Sequence, residues 1–195
     1  MLERGAVSLG TIFLSEVDGT AMLLLMGGGV VANNILPRTK SVGLGFLQVN
    51  HTILTQGIFS TLPGNGNNAL NVNIGAAFWD QVLGTAMLLF LIFVITDPLG
   101  TNPSAPLSAI LIGLVIVAIG FALGTNSGYA INPARDFGPR LMEFMTGYQG
   151  AWRDQYGEFY FWVPIVGPLL GGLIGGGLYE VTVGRSLPKA LESGK

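Results

Sequence analysis

The sequence predicts an all-α integral membrane protein, an incomplete helical bundle of four spans plus one re-entrant half-helix. Only 10% of its 195 residues are charged, whereas soluble domains carry about 25%. Several uncharged stretches are near or above the ~20 residues that a helix needs to cross a bilayer. No alternating strand pattern occurs, and backbone groups in lipid must be satisfied internally, so the spans are predicted as helices. The partner that follows first from the composition is therefore the lipid bilayer.

The four spans are placed by the limits of the uncharged stretches. The second is stopped by Asp97 and Pro98, and the fourth begins with aromatic residues that favour the membrane interface. Their predicted ranges are within 7–36, about 74–96, about 106–124 and about 159–179. An even number of spans places both termini on one side of the membrane. Basic residues near the C-terminus predict that this side is cytoplasmic. We expect the membrane to be the plasma membrane.

One further helix is predicted not to cross the membrane. The segment 131–147 is too short and too charged for a span. Asn132 is a typical N-cap and Pro133 fits the first helical position. Asp136, in the first turn, suits the positive end of the helix dipole. Such a helix is tolerated at membrane depth only where protein or a watery cavity surrounds it, so we predict a re-entrant half-helix.

The chain contains an internal repeat. EVDGTAMLLL, from Glu16, aligns without gaps with QVLGTAMLLF, from Gln81, and duplicated halves are frequent in transporters. The second copy continues through another span, the half-helix and a last span, whereas the first is followed by one span and a polar loop. The predicted single domain, 1–195, thus comprises a first-repeat remnant (1–40), an extramembrane loop (41–73), a second repeat (74–183) and a tail (184–195).

Three stretches carry a family resemblance. GYAINPARDFGPRL, 128–141, together with AIGFALGTNSGYA before it and the GTAM repeat, closely resembles the major intrinsic protein (aquaporin) family. The NPARD form, TQGIFSTLP at 55–63 and GGGVVANNILP at 27–37 resemble its aquaglyceroporin, or glycerol facilitator, branch. The family fold implies two inverted halves, a half-helix from each, one pore in every protomer and tetramers. This chain has no counterpart of the second helix, the first half-helix or the third helix, which makes the implied aquaporin-like bundle incomplete.

The resemblance implies roles for the residues of the NPARD motif. Asn132 would donate its side-chain amide to a passing hydroxyl or water, from a turn that Pro133 and Ala134 form. Arg135 would line the narrow filter, donate to a polyol and repel cations. Asp136 would mark the wider, polyol-passing type of pore.

Four further residues, all of which precede the motif in the sequence, would complete the filter, again by resemblance. Tyr129 would supply its aromatic wall, and Gly120 would leave room for a carbon chain where water-selective relatives carry a bulkier residue. The carbonyl groups of Gly128, Tyr129 and Ala130 would accept hydrogen bonds from the permeant.

Outside the filter, most conspicuous residues are interpreted as structural. Glu16 and Gln81, at matching positions of the repeat, would brace the re-entrant loops through hydrogen bonds. Gly167, Gly171 and Gly175, four residues apart, are predicted to allow close helix packing. His51 is a poor metal candidate, and Asn50 begins a glycosylation sequon that we expect to be unused.

The predicted function is a passive transmembrane channel for glycerol, other small polyols and water. The alternative is a truncated, non-conducting family member that co-assembles with full-length channels or regulates them, which the short first repeat motivates. A homo- or hetero-oligomer, a tetramer by resemblance, is expected. The net charge of -2 without a basic patch argues against nucleic acid. No nucleophile–base pair, metal cluster or phosphate loop indicates an enzyme or a cofactor.

Overall fold

The computed structural model of this protein describes residues 51–100 and 103–187. This part is helical, and its single strand-like feature is an isolated bridge between Arg153 and Phe159. In chain order its helices are α1 (Ile53–Gln56), α2 (Ile74–Thr96), α3 (Ala105–Ser127), α4 (Pro133–Met145) and α5 (Val163–Tyr179), with 3-10 helices at Pro63–Gly66 and Asn68–Leu70 and a π-helical turn at Glu180–Gly184 after α5.

Three of these helices are long and apolar enough to cross a membrane: α2, α3 and α5 with its π-helical turn. The second predicted span is confirmed at both ends, and the third extends slightly beyond its predicted limits. Their large apolar side chains include highly exposed ones such as Trp79 and Ile110, as a lipid-facing surface requires. The first predicted span, 7–36, lies outside the described residues.

The fourth span begins later than predicted, at Val163 and not near residue 159. The Tyr160 N–H donates to the Trp152 carbonyl at 3.1 Å, so residues before the helix belong to a turn over the preceding loop. The Tyr160 carbonyl then accepts from the Val163 N–H at 2.9 Å, and Pro164 occupies the first helical turn, where its missing N–H costs nothing. The sequence prediction began the helix too early because the aromatic residues of this turn are also typical of a helix end at the membrane interface.

The packing prediction for the glycine stripe of α5 is confirmed. A Cβ atom added to Gly171 would overlap the carbonyl oxygen of Val82, and one added to Gly175 would overlap that of Ala86. A Cβ on Gly167 would lie 2.8 Å from Cβ of Gln81. Because these glycines carry no side chain, the backbones of α2 and α5 lie in direct contact.

Helix α4 begins as predicted, with Asn132 as N-cap and Pro133 as the first helical residue. Its 13 residues extend for about 20 Å at the α-helical rise, less than the ~30 Å thickness of a hydrocarbon core. Asp136, Arg140 and Glu143, at positions i, i+4 and i+7, form one buried face. The helix thus buries charged groups against protein.

The polar segment predicted as one loop is more ordered than expected where the structure describes it. It contains α1 and both 3-10 helices, and Thr55, Gln56, Ser60 and Thr61 are buried. Thr52 and Thr55 form a capping box at the start of α1. This segment covers the buried face of α4, a relationship that its polar composition did not indicate.

Candidate functional site

The site is organised by the four-residue turn Gly128–Ile131, which joins α3 to α4. Gly128 ends α3 in the left-handed conformation, with φ of 69°. Tyr129 and Ile131 also have positive φ, 38° and 41°. This region is unfavourable for residues with a side chain, above all for a β-branched one. Surrounding contacts must therefore hold the turn in place.

Gln81 supplies such contacts at both ends of the turn. Its side chain is fully buried. Its Nε2 donates to the Ser127 carbonyl at 3.2 Å and to the Ser127 Oγ at 2.9 Å, and its Oε1 accepts from the Ile131 N–H at 2.8 Å. This is the geometry that the expected bracing role requires. Glu16, its counterpart in the repeat, lies outside the described residues.

Asp80 adds a second support that the sequence analysis missed. Its carboxylate accepts from Asn126 Nδ2 at 3.2 Å and from the Ser127 hydroxyl. A carboxylate within an apolar span indicates a functional or paired residue by default. The position of Asp80 within α2 was therefore the signal in the sequence that could have identified it.

The side-chain amide of Asn132 caps α4 and also lines a cavity. Its Oδ1 accepts from the backbone N–H groups of Ala134 and Arg135, at 3.0 and 3.2 Å. The cap occupies the acceptor and orients the group, which leaves the two Nδ2 hydrogens as donors toward the cavity that Asn132 lines.

That cavity has a volume of about 1320 Å³ and brings together most of the predicted filter residues. Those that line it are Gly120, Gly128, Tyr129, Ala130, Asn132, Pro133 and Arg135. Ala134 and Asp136 do not line it. Apolar residues of the spans, such as Leu88, Leu169 and Leu173, form another part of its wall, and Ser60 and Thr61 contribute hydroxyl-bearing residues that we did not predict.

The ring of Tyr129 packs against α3 at Gly120. A Cβ at Gly120 would lie 3.1 Å from the Tyr129 Cζ, and one at Gly124 would lie 3.0 Å from Cδ1. Both glycines therefore let the aromatic ring lie flat against α3. The width of the cavity at this level depends on how closely Tyr129 approaches the helix.

The side chains of Arg135 and Asp136, which are neighbours in the sequence, lie in different surroundings. Arg135 lines the cavity, and its Nη1 donates to the Phe59 carbonyl at the long distance of 3.5 Å. Asp136 is fully buried behind it. The Asp136 carboxylate accepts from the Thr61 N–H at 2.7 Å and from the Arg140 Nε at 2.5 Å.

Arg140 completes this buried network. Its Nη1 donates to the Ala151 carbonyl at 2.7 Å, and its Nη2 donates to the Thr61 carbonyl. A buried ion pair is tolerated only when further hydrogen bonds satisfy its remaining groups, and these bonds do so. Asp136 thus contacts the segment that covers α4 and does not line the cavity.

Comparisons with known proteins agree with this architecture. A family model described as Major intrinsic protein matches residues 6–179. Aquaglyceroporin-2 of Rhizophagus irregularis is 37% identical over 163 residues, which are 83% of this chain and 50% of that protein. The glycerol uptake facilitator protein of Pseudomonas aeruginosa is 44% identical over 134 residues, 68% of this chain and 46% of that protein.

The fold also matches a solved structure. The aquaglyceroporin from Plasmodium falciparum gives a TM-score of 0.62 at 24% identity, over 87% of this chain and 60% of that one. This chain spans about half the length of the curated relatives that it matches.

Proposed function

Since this chain belongs to the major intrinsic protein family, whose members are channels and not enzymes, we propose that it passes glycerol, other small polyols and water across a membrane. The observation that carries the proposal is the composition of the cavity. The donors of Asn132 and Arg135 lie in the same cavity as the Tyr129 ring and the leucine side chains of the spans. A polyol, which presents hydroxyl groups and a hydrocarbon backbone, matches both kinds of surface.

Each polar residue of the cavity would have its own effect on a permeant. Asn132 replaces one hydrogen bond of hydration by donating to a hydroxyl, and Arg135 donates from a fixed positive charge. That charge, together with the positive N-terminal end of α4, opposes the entry of cations and protons. This arrangement supports the proposal of passive movement of uncharged, hydroxyl-bearing solutes.

The relatives support glycerol as a permeant, because two of them are named an aquaglyceroporin and a glycerol uptake facilitator protein. None of the comparisons supports the alternative of a non-conducting regulator. Assembly into tetramers, location in the plasma membrane and cytoplasmic termini remain expectations from the resemblance and the charge distribution.

The test is the permeability of liposomes that contain the purified chain, measured by stopped-flow light scattering with glycerol and with an impermeant osmolyte. We expect both glycerol and water fluxes above those of empty liposomes. Arg135→Ala should change the glycerol-to-water ratio, whereas Arg153→Ala, at an exposed loop arginine, should not. Flux equal to that of empty liposomes, from protein shown to be folded and inserted, would refute the proposal.

A further inference from the structure

Thr61 lies where the polar segment that covers α4 meets the Gly128–Ile131 turn. It belongs to the wall of the cavity, as Gly128 does, although its exposed fraction is only 4%. The proposed path of the permeant does not use its side chain as a donor or acceptor. Its hydroxyl and its methyl group contact different parts of the site, and each contact has its own consequence.

The polar groups of Thr61 bind the buried ion pair of α4. Its N–H and its hydroxyl both donate to the Asp136 Oδ2, at 2.7 and 2.5 Å, and its carbonyl accepts from the Arg140 Nη2. Hydrogen bonds to charged groups are roughly twice as strong as those between neutral groups. Because Asp136 and Arg140 lie one helical turn apart, Thr61 is attached to α4 at two points, which fixes its position relative to that helix.

The apolar part of Thr61 contacts the turn at Gly128. A Cβ atom added to Gly128 would lie 3.0 Å from both Cβ and Cγ2 of Thr61, so the two residues are packed as closely as a glycine permits. The next residue of the turn, Tyr129, packs its ring against α3 at Gly120. The turn is thus held between α3 and the polar segment, and the methyl group of Thr61 is the spacer on the side of the segment.

We propose that Thr61 is a positioning residue that sets the width of the filter: its polar groups fix the segment to α4, and its methyl group sets how closely the turn approaches the segment. Both the segment and the turn line the cavity, so their separation limits the cross-section of a permeant. Polyols that carry a branch are therefore excluded more strongly than glycerol. This inference rests on the proposed channel function and adds a determinant of its specificity.

The experiment compares, in proteoliposomes, the flux of glycerol with that of a glycerol that carries a methyl branch on its central carbon. Thr61→Ser removes the spacer and keeps the hydroxyl. The flux ratio of branched to unbranched glycerol should rise by about tenfold, the lower end of what one methylene contributes to discrimination in a pocket. Thr61→Val keeps a methyl group toward Gly128 and removes the hydroxyl. It should keep the natural ratio while its thermal midpoint in detergent falls, because Asp136 loses a buried hydrogen bond.

Thr146→Ser is the matched control. Thr146 also binds α4 through its hydroxyl, which donates to the Met142 carbonyl at 2.9 Å, but it is exposed and does not line the cavity. The same methyl group is removed there without a change at the turn, so this variant should keep the natural flux ratio. Should Thr61→Val fail to fold, the comparison of Thr61→Ser with Thr146→Ser still tests the spacer.

An unchanged ratio in Thr61→Ser, or a rise of the same size in folded Thr61→Val or in Thr146→Ser, would overturn the inference. Absence of flux from the natural sequence would instead refute the channel function, and amide hydrogen exchange of residues 128–131 in detergent then decides about Thr61. Faster exchange in Thr61→Ser than in the natural sequence and in Thr146→Ser would support the positioning role, and equal exchange would overturn it.

Discussion

The side-chain amide of Gln81 spans the whole Gly128–Ile131 turn, since its Oε1 accepts from the Ile131 N–H while its Nε2 donates to the Ser127 carbonyl. One residue of α2 therefore fixes where α3 ends and where the half-helix begins. The turn contains two non-glycine residues in left-handed conformation, and this amide, together with the Asp80 carboxylate, helps to hold them in place.

Replacing Gln81 by alanine should destabilise the protein and disturb the filter together. The Ile131 N–H and the Ser127 groups lose buried hydrogen bonds, at about 1–3 kcal/mol for each group left unsatisfied. The free energy of unfolding in detergent measures the loss, and glycerol flux measures the displacement of the turn. Gln149→Ala, at an exposed glutamine, should change neither. A stable Gln81→Ala variant with natural flux would show that the turn needs no brace.

Gly171→Ala should disrupt the contact between α2 and α5. A Cβ there would overlap the Val82 carbonyl oxygen, so the helices would have to separate. Gly177→Ala is the control in the same helical region, because a Cβ at Gly177 meets nothing within 4 Å. Alanine is a better helix former than glycine by up to ~1 kcal/mol, so the control should be neutral or slightly stabilised. Thermal unfolding in detergent distinguishes the two, and equal midpoints would contradict the packing interpretation.

Gly120→Ala should reduce glycerol flux more than water flux. The new methyl group would lie 3.1 Å from the Tyr129 Cζ, which pushes the ring away from α3 and into the cavity. Gly113→Ala, where the added Cβ has no neighbour within 4 Å, should leave both fluxes unchanged. Equal losses of glycerol and water flux would count against a filter at this level.

Asp136→Asn should be strongly destabilising although it does not line the cavity. The substitution leaves the fully buried Arg140 guanidinium without a compensating charge, which typically costs about 3–5 kcal/mol. Glu158→Gln, which neutralises an exposed carboxylate, should have little effect. Detergent unfolding tests both. A small loss for Asp136→Asn would mean that the carbonyl groups around Arg140 suffice to hold its charge.

Stability should fall as pH rises between about 4.5 and about 8, the ordinary and the raised pKa of Glu143. In this window the folded protein retains a proton on Glu143 that the unfolded chain has released, so raising the pH favours unfolding. The contribution is fully present below the lower value and is lost by the upper one. The difference in unfolding free energy between the natural sequence and Glu143→Gln, followed across this range, isolates the effect. A constant difference would contradict it.

The apolar spans and the start of the half-helix could be predicted from the sequence because their signals are local. Helix α2 ends where Asp97 and Pro98 follow the apolar run, and Asn132 with Pro133 marks the start of α4 in the sequence itself. The contacts of the polar segment could not be predicted in this way. Thr61 meets Asp136 across 75 residues of sequence, and only the folded backbone brings their hydrogen-bonding groups together.

The site itself was predicted in part. Motif resemblance pointed to Tyr129, Asn132 and Arg135, which do share a cavity. Resemblance says nothing about Glu143, because that residue belongs to no motif and its contact with Ser60 is buried. Asp136 was expected to mark the pore type. The structure buries it behind the cavity wall, where it contacts Thr61 and Arg140.

The polar segment over α4 also constrains the order of assembly in the membrane. The charges of Asp136 and Arg140 would be costly in lipid, and their partners come from Thr61 and Ala151, on both sides of α4 along the chain. The half-helix can therefore reach its buried position only after the chain on both of its sides has been synthesised and placed. We expect insertion of the spans to precede closure of the filter, because non-local contacts form slowly.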